Sequence, residues 1–152
     1  LPCVGSLTSL AAEGNGEALV RLVELARASA GDAAAQRTVS ASLADVARTA
    51  PDELLVSLRG APAADRDAAL GLLAQGVAQQ QDADHPLWPA IRKVMASTDA
   101  AVAAFGRELD ATLSQRVAAE KAPRVVQAAG STASPAAAQP AVAPAPTDRP
   151  GG

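Results

Sequence analysis

Asp82, Asp84 and His85 lie within one short stretch, "DADHPLWPAIRKVM", which also carries the chain's single Trp, Trp88, and single Met, Met95. Two carboxylates and an imidazole are hard and intermediate ligands, so the sharpest chemistry on offer here is a metal site. Side chains of adjacent residues rarely converge on one ion, and a working site would need a further ligand from elsewhere. His85 is the only histidine, so no second imidazole can supply it. The simpler reading is a helix start, with Asp84 as the cap and Pro86 in the first turn. We therefore expect no metal and no other cofactor, and keep Asp82, Asp84 and His85 as the alternative metal-binding loop.

In the same stretch Leu87, Trp88 and Arg92 are the candidate partner-binding residues. An exposed Trp beside an aliphatic residue and an Arg is a set that dominates interface energetics, and the neighbouring prolines would hold it rigid. The competing expectation is that Trp88 closes one end of the core beside Leu87 and Ile91.

Covalent catalysis needs a Ser, Thr or Cys within reach of a base, and His85 is the only imidazole available. The chain has no G-x-S-x-G, P-loop, G-x-G-x-x-G or H-E-x-x-H pattern. Carboxylate pairs occur at Asp52/Glu53, Asp65/Asp67 and Glu108/Asp110. The first two fall in helix first turns, where negative charge opposes the macrodipole, and all three read as solvated helix faces. No catalytic residue is assigned, and the expectation is a protein that is not an enzyme.

The composition narrows the partners. Net charge is −3, and of 13 basic residues only Lys93 and Lys121 are lysines; the arginines are scattered singly. A phosphate backbone calls for a concentrated basic footprint and single strands call for stacking aromatics, but Trp88 and Phe105 are the only aromatics, so nucleic acid is not expected. The arginine excess points to a GC-rich, bacterial coding source. No apolar run reaches the roughly 18 to 20 residues of a membrane span, so no transmembrane span is expected.

Residues 1–11 are mostly apolar or small, and Ser9-Leu10-Ala11 has the small-x-small form that signal peptidase reads. We read 1–11 as a remnant of a secretory signal, which makes the protein periplasmic or secreted; a short buried first helix is the alternative. Cleavage after Ala11 would remove Cys3, the only cysteine, and suit an oxidising compartment.

The elements that position these groups are helices. Ala, Leu and Val dominate and Tyr is absent, which favours helix over sheet. Asn15 caps a helix with Leu19, Leu22, Val23 and Ala26 on one face. Gly31-Asp32 then ends it and caps a second, with Val39, Leu43, Val46 and Ala50 inward. Pro51 opens a short helix through Leu54, Leu55 and Leu58 to Gly60. Pro62 opens another to about Gln79, with Leu70, Leu73 and Val77 inward and two glycines, Gly71 and Gly76, that weaken it unless close packing needs them. A helix from Pro86 or Leu87 with Leu87, Ile91, Val94 and Met95 on one side, and a last one capped by Ser97-Thr98-Asp99 with Val102, Phe105, Leu109, Leu113 and Val117 in one stripe, complete the series. Beyond Ala122, Pro, Ala, Ser and Thr predominate and supply nothing for a core.

The expected architecture is all-α: a compact bundle of five or six short helices over 12–121, with a short HEAT-like stack as the alternative, and a disordered Pro/Ala-rich tail over 122–152. The expected function is an exported interaction module, an adaptor, inhibitor or immunity-type protein, that meets a protein partner through a helix face. A second copy could be that partner. The alternative is a small-molecule or metal binder using the Asp82–His85 loop and the region of Trp88.

Overall fold

Backbone capping by Asn15, Asp32 and Asp99 divides the chain as the sequence suggests. In a computed structural model, which describes residues 2–123, Asn15 accepts from the Ala18 N–H, Asp32 from Ala34 and Ala35, and Asp99 from Ala101 and Val102. These bonds favour the charged carboxylate, so Asp32 and Asp99 are both held below the ordinary aspartate range. Gly31, at φ +91°, supplies the left-handed residue that turns the chain between two of these helices.

The described residues form seven helices and no strand: α1 (Pro2–Ala12), α2 (Gly16–Ala28), α3 (Ala33–Thr49), α4 (Pro51–Gly60), α5 (Ala63–Gln80), α6 (Leu87–Met95) and α7 (Ala100–Lys121). The count exceeds the expected five or six because the segment assigned to a signal remnant is itself a helix. Val4 and Ala11 of α1 are buried, Leu7 packs against the core, and Thr8 shares a 2.8 Å hydrogen bond with Ser42 of α3. Val4, Leu7, Thr8 and Ala11 thus give α1 a face packed on the rest of the domain. The tail expected over 122–152 lies almost wholly outside the described residues.

The apolar stripes read from the sequence face inward. Leu19, Leu22, Val39, Leu43, Leu54, Leu58, Leu73, Ile91, Leu109 and Leu113 are all buried in one cluster. The centre of the bundle is α5, which packs against α2, α3 and α7. In a HEAT-like stack of helix pairs each helix also meets the one two places along, as α5 does with α3 and α7; the α2–α5 contact, three helices apart, gathers the helices around α5 as a bundle.

Two glycines are required by that packing. A Cβ on Gly76 would come within 2.8 Å of the Ala44 Cβ, and closer still to the Ser40 carbonyl oxygen, where α3 crosses α5. At the same crossing the buried Ser40 hydroxyl donates to the Leu72 carbonyl at 2.8 Å. A Cβ on Gly106 would lie 2.8 Å from the Met95 nitrogen, where α6 meets α7. Gly71 is different: only the Arg116 guanidinium, which donates to Asp67, comes near, at the ordinary contact distance of 3.4 Å.

Candidate functional site

The connection from α5 to α6 brings Asp82 and His85 together with Arg48 and Gln80, but builds a junction rather than a metal centre. His85 is fully buried. The Leu87 N–H donates to its Nδ1 at 3.2 Å, which places the ring proton on Nε2, and Nε2 stands 3.1 Å from the Gln80 Oε1. Arg48 donates to the same Gln80 oxygen at 3.0 Å, and Gln80 donates to Asp45 at 3.4 Å. Both ring nitrogens are thus engaged within the protein. Burial, and then the Arg48 guanidinium, lower the His85 pKa; Asp82 and the Ala44 carbonyl oppose them with less effect. The ring is neutral at pH 7.

The two carboxylates of the loop have other roles. Asp82 pairs with Arg48 at 3.4 Å and accepts from the Asp84 N–H at 3.2 Å, while Asp84 is exposed. The expected Asp84 cap is not made. The N-cap position is Pro86, with no side-chain cap bond, and the first N–H of α6, that of Leu87, is received by the His85 ring. Among the described residues no three His, Cys, Asp or Glu side chains are grouped to hold a metal ion.

The candidate partner-binding set is divided by the fold. Leu87 has 0% exposure and is part of the core, because the first turn of α6 points it inward beside Ile91. Trp88 is half-buried against the core and Arg92 is exposed. Together with Asp110, Ser114, Val117, Ala118 and Lys121 these two line a shallow hollow of about 400 Å³.

A larger feature lies elsewhere. A trough of about 640 Å³ runs between α2 and α4 and reaches the start of α5. Leu19, Val20 and Val23 of α2 and Val56 of α4 give it an apolar surface. Val56 is 73% exposed and Val20 47%, and they are two of the three large aliphatic side chains left exposed among the described residues; Leu10 is the third. Burying such groups against water is worth roughly 25 cal/mol per Å², so leaving them exposed together sacrifices stability that a partner could recover.

Four carboxylates line the trough, those of Glu24, Asp52, Glu53 and Asp65, and no Lys, Arg or His lines it. Arg21, Lys93 and Arg27 reach Glu24, Asp52 and Asp65 from outside, at 2.9, 3.0 and 2.8 Å. Glu53 has no ion pair among the described residues. Asp65 departs from the expected solvated face: it is only 8% exposed, and its Oδ1 is buried. Arg27 Nε is close to that oxygen, but its N–H is not aimed at it, so Oδ1 has an ion partner and no hydrogen bond. Ser57 Oγ, also lining the trough, is buried and unpartnered.

Sequence reasoning missed this surface. The available signal was that Val20 and Val56 are apolar residues outside the inward stripes of their helices. Asp65 carried no signal, since acidic first-turn residues are ordinarily solvated.

The fold and these surfaces define an all-α bundle with an open apolar trough edged by carboxylates. No helix among the described residues is long and apolar enough to cross a membrane. Comparison with protein-family models, with curated proteins and with solved structures returns no match.

Proposed function

We propose that this protein is a non-catalytic binding module that engages a protein partner through the α2–α4 trough. The observation that carries the reading is the co-location of Val20 and Val56, both exposed, in a trough of about 640 Å³. Isolated surface aliphatics are common, but a clustered pair over an apolar floor is the pattern of an interaction surface. The working face thus moves from Leu87, Trp88 and Arg92 to α2 and α4. The chemistry of the site adds to this: the single imidazole is sealed in the core, and the trough offers carboxylates and aliphatic groups with no nucleophile–base pair. The binder expected at Asp82–His85 gains nothing from the geometry, because both imidazole nitrogens are already bonded.

The test is native mass spectrometry of the protein purified gently from its source, alongside Val20→Asp and Val56→Asp. A stoichiometric protein partner is expected with the native chain. Each substitution should release it while leaving the melting temperature within about 2 °C, since exposed positions remote from the core shift stability by roughly 0.5 kcal/mol at most. A chain that carries no protein, or one whose partner survives both substitutions, would overturn the reading.

A further inference from the structure

Resting on that reading, we infer that the occupant of the trough is a cationic amphipathic helix of the partner protein, seated with its apolar face on Val20 and Val56 and its basic residues on Glu53 and Asp65. Shape, charge and unsatisfied polar atoms support this independently.

The trough is lined on α2 by Gly16, Leu19, Val20, Val23 and Glu24, and on α4 by Asp52, Glu53, Val56, Ser57 and Gly60. Both sets repeat at three- and four-residue intervals over eight positions, about 12 Å of helix at 1.5 Å per residue. The two helices run side by side in the same direction. Gly14, preceding α2, lies against Glu53 near the start of α4, and Arg27 at the end of α2 pairs with Asp65 just beyond the end of α4. Gly14 and Gly16 leave one end without a large side chain, and the other is lined by Gly60 and Ala61 with Pro62 and Asp65 beside them. An elongated occupant can lie along the trough, and two turns of a helix match the length, presenting anchors at i, i+3 or i+4, and i+7.

An added strand is not accommodated, because the described residues contain no sheet edge for it to extend. A second copy is disfavoured because a symmetric pairing through this face would bring only the same lining, which holds no basic residue to meet Glu53, the one lining carboxylate without an ion pair among the described residues. A partner of opposite sign meets that carboxylate favourably instead. Asp65 is an anchor point reached by exchange: its Oδ1 is sealed with Arg27 2.8 Å away, so a Lys or Arg of the partner takes the place of the exposed Arg27 side chain there and supplies the hydrogen bond that Arg27 does not. Glu53, at the opposite end, sets the second contact. The two carboxylates therefore select basic residues about two turns apart, flanking the aliphatic anchors.

The experiment is a display selection of random peptides, about 16 residues long, against the immobilised full chain, with binding re-measured on Val56→Asp, Trp88→Ala, Glu53→Gln and Asp65→Asn. Peptides dependent on Val56 are expected to carry aliphatic residues at i, i+3 or i+4, and i+7, with Lys or Arg flanking them. Their affinity should fall roughly tenfold on Glu53→Gln and more on Asp65→Asn, as expected for loss of a charged partner at an interface, while Trp88→Ala leaves it unchanged. Glu53→Gln keeps the test sound if Asp65→Asn perturbs the fold. Binders that are acidic, proline-rich or indifferent to Val56, a selection that yields none, or Val56-dependent self-association in sedimentation would each overturn the inference. If the native partner is released by Val56→Asp but the selected peptides are not basic, the partner's chemistry is wrong and the module reading stands. If the native chain has no partner, the module reading itself fails.

Discussion

Gly76→Val is expected to destabilise the domain by about 3 kcal/mol, the upper part of the range for forcing extra carbons into a packed crossing. At this size that corresponds to a melting temperature lower by roughly 10 °C. The cause is local: α3 and α5 approach so closely that the first added carbon meets the Ser40 carbonyl and the Ala44 methyl. Neither can withdraw without moving a helix backbone. Gly76→Ala should fall in between, because better helix propensity recovers up to about 1 kcal/mol of the loss. Gly71→Ala, one and a half turns earlier on α5, is the control. Its new methyl meets only the end of Arg116, so it should gain up to about 1 kcal/mol. Urea unfolding followed by circular dichroism checks all three: the midpoints should order Gly71→Ala, native, Gly76→Ala, Gly76→Val, with a common slope. A Gly76→Val protein as stable as the native one would mean that α3 and α5 do not cross at this point.

His85→Ala should cost about 3 kcal/mol, combining a cavity with a buried Leu87 N–H left without an acceptor. His85→Asn should cost less, since its side-chain oxygen can take the position of Nδ1. The diagnostic difference is in pH dependence. The folded His85 has a pKa lowered by burial and by Arg48, so between that value and the ordinary one near 6.5 the unfolded chain binds a proton that the folded chain does not. Its contribution is complete above about pH 6.5 and is lost as pH falls, at no more than about 1.4 kcal/mol per pH unit. Asp32 and Asp99 lose their cap contributions only in the more acidic carboxylate range, so the two windows are separable. Unfolding free energies at pH 7.5 and pH 5.5 should therefore differ more for the native chain than for His85→Asn. Equal pH responses would show that His85 is not buried and neutral in the folded protein.

That role for His85 shows how far a local pattern reaches. The sequence marks residues 82–89 as a junction because prolines and aspartates there interrupt helical periodicity, and the structure does have a junction at that place. Which residue receives the first N–H of α6 is a different kind of fact. Asp84 satisfies the grammar, but the chain direction after Gln81, left-handed at φ 50°, turns His85 inward beneath Gln80 and leaves Asp84 in water. The same holds for Leu87: its neighbours in sequence make it a plausible contact residue, and only the packing of α6 places it wholly inside.

What the sequence by itself determined is the set of helices beyond residue 12, three of their caps and most of their inward stripes, because those depend on neighbours within a few positions. Asn15, Asp32 and Asp99 cap where expected, and Leu19, Leu43, Leu73 and Leu113 are buried as their spacing requires. Tertiary structure alone decided three things that depend on distant partners. Residues 2–12 became a seventh helix because α2 and α3 offer a surface for Val4 and Ala11. Gly76 changed from a weakness in α5 to a requirement because α3 passes over it. The trough exists because α2 and α4 lie side by side, bringing Val20 to Val56 and enclosing Asp65, an arrangement set by summed core packing that no local spacing encodes.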